Sequence, residues 1–293
     1  MEYYTLNDLE RLTGIKPDTI RIWEKRYGLT IPGRTSTNRR RYSDEDLRKL
    51  LNISVLLKSG YRISQIAEMS VNDLDSNTAN VLLTKTKNDD FILLLLSAMT
   101  KFDEVAVNEI LLKAVIMFGV EKTFSDIVFP FLDRVGMMWH TGMINIGSEH
   151  FISNIFRRRL IAAFDNLNEP PVDGSKKVML FLPEKELHEL GLLYYAYITR
   201  KEGHRVLYLG QSTPLLAATE SARVWDPDII ITGVLSVLPI ADPDLFLKEL
   251  RNAFQGKRII VAGALADMAE KRKQYHLNIC RNESDLRKLL KVK

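Results

Sequence analysis

Apolar positions along the 293-residue chain repeat first in short helical stripes, then in longer helices, and finally in runs that alternate between strand and helix. Behind Thr5, Leu6, Leu9 and Leu12 recur at helical spacing, which predicts a capped helix stopped at Thr13-Gly14. Pro17 suits the first turn of a second helix, with Asp18 near its positive end. This helix is expected to carry Ile20, Ile22 and Trp23 inward and Arg21, Lys25 and Arg26 outward, and to end at Gly28. Two short helices joined by a Gly-containing turn make a helix-turn-helix, whose second helix would enter the DNA major groove. Residues 31–42 read as a β-hairpin wing. Ser43 caps the next helix, buried along Leu47, Leu50, Leu51 and Ile53 to Leu57, and a fourth begins within Gly60 to Ala67.

Asp73 to Asn77 is polar and is expected to be a hinge. Beyond it, Phe91 to Leu96 is apolar all round, as in a buried helix. Further helices are predicted over 102–118, over 121–139 with an interruption at Pro130, and from a Ser148 cap through Ile155 to Phe164. These make a four-helix bundle.

From residue 175 onward, strands over 176–182, 206–209, 228–232 and 258–262 alternate with helices over 189–202, 214–224 and 242–254. A fifth strand at Asn278-Ile279 and a helix over 285–290 close the chain. Such alternation implies a parallel, doubly wound sheet, with ligands at the carboxyl ends of its strands. The fold class is therefore multidomain, α and α/β. A winged helix-turn-helix (1–72) precedes a four-helix bundle (73–166) and a doubly wound parallel sheet (175–293).

A composition of 46% hydrophobic and 27% charged residues is ordinary for a globular protein. The charge is not evenly placed. Residues 1–70 hold 13 Lys and Arg against 9 Asp and Glu, an excess of four that equals the net charge of the whole chain, +4. A basic module on a neutral body suggests a nucleic-acid partner. Cys280 is the single cysteine, which excludes an intrachain disulfide and fits a reducing cytoplasm. The start lacks a signal-peptide pattern, and the longest apolar run, 91–96, is far short of the roughly 20 residues a membrane helix needs. A cytoplasmic location without membrane contact is expected.

An isolated charge run is most often a solvated face. Arg39-Arg40-Arg41, however, follows a helix-turn-helix at wing distance and ends in an aromatic, Tyr42, which favours grip on phosphates. Arg21 could reach a base edge. Residues Thr19 to Leu29, followed by Pro32, Arg34 and Arg40-Arg41-Tyr42-Ser43, resemble the winged-helix domain of MerR-family transcription regulators. The resemblance implies that Thr19, Arg21, Lys25, Arg26, Arg34, Arg39, Arg40, Arg41 and Tyr42 contact double-stranded operator DNA. Wings of that family often carry glycine before the Arg-Tyr. Here Asn38 and a third arginine stand there, and asparagine tolerates left-handed backbone. The dimerising helix with a cysteine metal site is absent, which argues against a metal-responsive member.

Two windows carry candidate chemistry: Trp139-His140 with Glu149-His150, and Glu186-Leu187-His188-Glu189-Leu190-Gly191. Taken singly, Trp139 is core and His150 a satisfied polar group. Glu149 and His150 are adjacent, so both cannot face one core, and at least one lies at an edge. His188 follows the first strand. Neither Gly-x-Gly-x-x-Gly nor Gly-x-x-x-x-Gly-Lys is present, which disfavours a dinucleotide and a nucleoside triphosphate. A metal-binding histidine needs its other nitrogen held, and Glu186 or a neighbour could hold it. Gly191 would let a bulky ligand approach the helix start.

Glu186 to Gly191 with Ser236-Val237-Leu238 resembles the flavodoxin-like cobalamin-binding domain of methionine synthases and mutases, with Glu186 where many members have Asp. The later Gly-Gly of that family is Ala262-Gly263 here. Trp139 with Glu149 and His150, ten and eleven residues on, matches the cap of the CarH/LitR type of light-responsive regulator. The resemblance implies adenosylcobalamin between bundle and sheet, with His188 as the lower cobalt ligand. Trp139 would cover the upper face, Glu149 and His150 would contact the adenosyl group, and His140 would take the upper site after photolysis. Glu186, Gly191, Ser236, Leu238 and Gly263 complete the implied cofactor set. The implied function is a non-enzymatic repressor that binds DNA as a tetramer, or at least a dimer, in the dark and releases it in light. The alternatives are a MerR-type regulator answering to cobalamin or another small molecule without photochemistry, a cobalamin enzyme, and a protein-interaction module.

Overall fold

The computed structural model describes residues 4–30, 32–34, 40–82, 89–140, 144–167, 170–235 and 242–291. The chain forms two compact units, Met1–Ile155 and Phe156–Lys293.

The first unit opens with α1 (Leu6–Thr13) and α2 (Pro17–Tyr27), followed by β1 (Gly33–Arg34) and β2 (Arg40–Arg41) as an antiparallel pair. Then come α3 (Asp44–Lys58), α4 (Ile63–Ala67) and α5 (Val71–Leu82). Capping boxes start α1 and α3: Thr5 pairs with Asp8, and Ser43 with Asp46. Leu9, Ile20, Trp23, Tyr42, Leu50, Ile53 and Leu56 form the core of this module.

Two expectations are corrected here. Ile22 does not point inward; it is 58% exposed. It lies two positions from Ile20, about 200° around the helix, and so joins Arg21 and Lys25. Residues 73–77 are not a hinge but the middle of α5. Ser70 pairs with Asp73 at its start and Leu74 and Thr78 are buried, while the polar residues that suggested a break are largely its outer side.

The rest of the first unit is helical: α6 (Asp89–Thr100), α7 (Glu104–Thr123), a π-helical turn at Phe124–Val128, and α8 (Phe129–His140). Gly119, at φ 77° and ψ 166°, breaks the regular path of α7 close to the predicted break between 118 and 121. Pro130 has no N–H to donate and its ring crowds the preceding turn. The turn before it widens to the π form, and the helix continues. Leu94 is exposed, so α6 is not buried all round. The next helix, α9 (Ile146–Asp165), continues into the second unit. Its first turn is held by Asn145, whose side chain accepts from the Ser148 N–H at 3.0 Å; the expected Ser148 cap is thus displaced by three residues.

The second unit is a five-stranded parallel sheet. Its elements are β3 (Lys177–Pro183), α10 (Leu190–Lys201), β4 (Arg205–Thr213), α11 (Leu215–Trp225) and β5 (Ile229–Val234). They continue with α12 (Pro243–Ala253), β6 (Arg258–Gly263), α13 (Ala264–Glu270), β7 (Asn278–Cys280) and α14 (Glu283–Lys291). The strand order is β4-β3-β5-β6-β7, with every pairing parallel. Val178 to Phe181, Ile229 to Ile231 and Ile259 to Val261 are all buried, as strands covered on both faces must be. The order reverses between β3 and β5, and that switch point is where a doubly wound sheet offers its crevice.

Candidate functional site

In the DNA module, Gly28 closes α2 in the left-handed conformation, and Arg21, Lys25 and Arg26 stand outward on the helix. Arg21 is bonded to Asp18 at 2.8 Å, and Ile22 shares the same surface. Ile22, expected inward, is instead an exposed apolar side chain among these basic residues. Thr19 is partly buried and Arg41 is exposed.

Tyr42 is corrected from DNA contact to core. It is fully buried, and its hydroxyl donates to Glu24 Oε1 at 2.5 Å. Burial, then the Glu24 carboxylate, push its phenol above the ordinary tyrosine range. Arg40 Nε donates to the other Glu24 oxygen at 3.2 Å. Glu24 thereby locks β2 of the wing against α2. Arg39 and the Arg34 side chain lie outside the described residues. Tyr42→Phe should remove one hydrogen bond to a nearly buried carboxylate, worth about 1.5–3 kcal/mol. A matching fall in thermal stability, with weakened operator binding in a gel shift, is the expected outcome.

On the helical side, Trp139 stands in the last turn of α8 and is 40% exposed. His140 ends that helix, and its side chain lies outside the described residues. Glu149 and His150 occupy the first turns of α9. As their adjacency required, one is at the edge: the His150 side chain is 66% exposed and Glu149 is more covered. His150 Nδ1 lies 2.7 Å from Glu149 Oε2. A carboxylate can only accept, so the Nδ1–H of His150 donates to Glu149.

The same pairing recurs on the sheet side, more deeply set. The loop after β3 carries Glu186, 1% exposed, and His188, whose side chain is 60% exposed. Glu186 Oε1 accepts from His188 Nδ1 at 2.7 Å and from the His188 backbone N–H at 2.8 Å. Its Oε2 accepts from the Leu235 N–H, one residue past β5, at 2.9 Å. Ser212, near the end of β4, donates its N–H to the Glu186 carbonyl and its Oγ accepts from the Lys185 N–H. Burial alone would raise the Glu186 carboxyl; the hydrogen bonds from His188 and Leu235 outweigh it and hold the group below the usual carboxylate range. The histidine is thus anchored across the switch point by a buried anion.

This donor set suits a metal that arrives in its own macrocycle. One imidazole held by a buried carboxylate can supply a single metal ligand, which is all that a metal already enclosed by a macrocycle needs from the protein. An added Cβ on Gly191 would meet nothing within 4 Å, so the start of α10 is open. Gly263 has a different cause: at φ 62° and ψ −147°, an added Cβ would collide with the Val234 carbonyl of the neighbouring strand. Ser236 and Leu238 lie outside the described residues. Sequence reasoning missed Leu235, which acts through its backbone N–H and so leaves no residue signature.

Residues 4–71 match the MerR HTH family regulatory protein description, and residues 94–163 match a B12 binding domain. These matches support a MerR-type transcription regulator that carries a B12-binding domain. It is 29% identical over 271 residues to the HTH-type transcriptional repressor CarH of Myxococcus xanthus, covering 90% of this chain and 89% of the relative. It is 26% identical over 253 residues to CarA of the same organism, covering 85% and 82%. The monomethylamine corrinoid protein of Methanosarcina barkeri shares the fold at a TM-score of 0.54 and 14% identity, over 69% of this chain and 97% of that one. Among the described residues no helix is long and apolar enough to cross a membrane.

Proposed function

We propose that this chain is a DNA-binding repressor that reads light through adenosylcobalamin. Residues 1–72 would bind the operator, 73–166 would cap the cofactor, and 175–293 would hold it. The observation that carries the reading is His188, exposed at the sheet's switch point while Glu186 holds its Nδ1. Similarity to two repressors over 90% and 85% of this chain supports a regulator over an enzyme.

When bound, adenosylcobalamin supplies a cobalt–carbon bond that visible light breaks. The work of the chain's own residues is to make that event matter. Glu186 accepts from His188 Nδ1, which would leave Nε2 as the nitrogen to hold the cobalt of a bound cofactor. Gly191 leaves room beside it. Trp139, Glu149 and His150 would contact the adenosyl group, and His140 would be available to the cobalt once that group is gone. Contacts to the adenosyl group favour one self-assembled state, and their loss withdraws that preference. The outward Arg21, Lys25, Arg26 and Arg41 then act as one surface with those of a second copy, so disassembly weakens DNA binding.

The test is an absorbance spectrum of the purified chain with adenosylcobalamin in the dark and after green light, with size-exclusion chromatography and an operator gel shift on each sample. The expected result is a bound spectrum that changes on illumination, with a drop in mass and release of DNA. A bound spectrum with no change in mass would replace the photoreceptor reading with a light-independent cobalamin sensor. Absence of binding would overturn both.

A further inference from the structure

The residue after His188 is as firmly held as the residue two before it. The Glu189 side chain is only 7% exposed. Its Oε1 accepts from Arg157 Nε of α9 at 2.5 Å, and its Oε2 from the Tyr208 hydroxyl of β4 at 2.8 Å. A carboxylate at a helix start ordinarily turns to the free N–H groups of the first turn. Glu189 stands at the N-cap of α10 and caps nothing with its side chain; both oxygens are committed to side chains from other elements. Tyr208 sits just before the irregularity in β4, where pairing with β3 passes from Leu180↔Tyr208 to Phe181↔Gly210. Glu186 ties the loop to the ends of β4 and β5, and Glu189 ties it to α9 and the middle of β4. His188 is strapped between two buried carboxylates.

We propose that Glu189 is a positioning residue, which through Arg157 and Tyr208 fixes the start of α10 and so the direction in which His188 presents its imidazole. This rests on the reading of His188 as the lower cobalt ligand. A buried acid stripped of a partner relaxes toward solvent or new donors, and the adjacent backbone moves with it.

The test uses the full chain with cobinamide, a corrinoid without its own base, reduced to cobalt(II) and followed by electron paramagnetic resonance. Only a protein nitrogen can then split the cobalt lines. The wild-type chain should show the split signal and His188→Ala should not; failure of either removes the ligand reading itself. With that reading standing, Glu189→Gln and Tyr208→Phe should lower cobinamide affinity on the order of 10–100-fold. They should also lower the split fraction at saturation, and Arg157→Lys should retain more of it than Arg157→Leu. Tyr208→Phe removes a single hydroxyl, and its unfolding midpoint reports whether the fold survives. Wild-type affinity and split fraction in these variants would overturn the proposal. So would a loss of binding that follows only the loss of folded protein while the bound fraction stays fully ligated.

Discussion

His188→Ala should leave the chain folded and cost roughly 100-fold in cobalamin affinity, the upper end of what disturbing a metal site's surroundings costs. The imidazole is mostly exposed, so its removal opens no cavity. Glu186 keeps two backbone partners, the N–H groups of His188 and Leu235, so the buried carboxylate is not orphaned. On the proposed reading, what is lost is the ligand. Cobalamin that still binds should carry its own base on cobalt, visible in its spectrum. Glu186→Gln separates ligand from support. A glutamine must turn its NH2 toward one of the two N–H groups the carboxylate now accepts from, and that donor loses its partner. A buried unsatisfied donor costs about 1–3 kcal/mol. This variant should therefore lose stability without cofactor, as His188→Ala does not, and should bind cobalamin less tightly. Equal unfolding midpoints for the two variants, or wild-type affinity in His188→Ala, would contradict the assignment.

The elements of the sheet were legible because their signals are local. Buried parallel strands write themselves as Val178 to Leu182 or Ile229 to Ile231, and the N-terminal caps as Thr5-x-x-Asp8 and Ser43-x-x-Asp46. Even the break near Gly119 was visible as a gap between two helical stripes. Helix α13 was not, since Ala264 to Glu270 is short and its burial depends on β5, β6 and β7 lying beneath it. Residues 73–77 misled because polarity was read as a break, when one buried position per turn, Leu74 then Thr78, is enough for a helix on a surface.

In the site, types were legible and partners were not. His188 and Glu186 could be paired from spacing, since two residues apart in a loop is within reach. Glu189 was passed over because its partners, Arg157 and Tyr208, are 32 and 19 positions away, a distance that only tertiary structure closes. Tyr42 was misassigned for the converse reason. Its neighbour Arg41 is exposed, and strand alternation sends Tyr42, together with Arg40, to the other face, where Glu24 meets both.

The two glycines of the site should respond to alanine with opposite signs. Gly263 lies in a conformation of positive φ that a side chain cannot adopt without strain, and its new Cβ would press on the Val234 carbonyl, an atom fixed by the sheet. Strain of about 1–3 kcal/mol and a comparable overpacking cost fall on the fold before any ligand is added. Gly263→Ala should thus lower the unfolding midpoint of the cofactor-free chain by several degrees, at about 2–4 °C per kcal/mol for a chain of this order. Gly191 sits inside the first turn of α10 with open space where a Cβ would go. Gly191→Ala should stabilise the cofactor-free chain by up to about 1 kcal/mol, because alanine is the better helix former. On the proposed reading it should weaken cobalamin binding, because the methyl would take space assigned to the cofactor. If Gly263 were there for the cofactor, its alanine variant would keep wild-type stability and lose only affinity. The collision with Val234 argues that the sheet demands this glycine and leaves to Gly191 the role of making room.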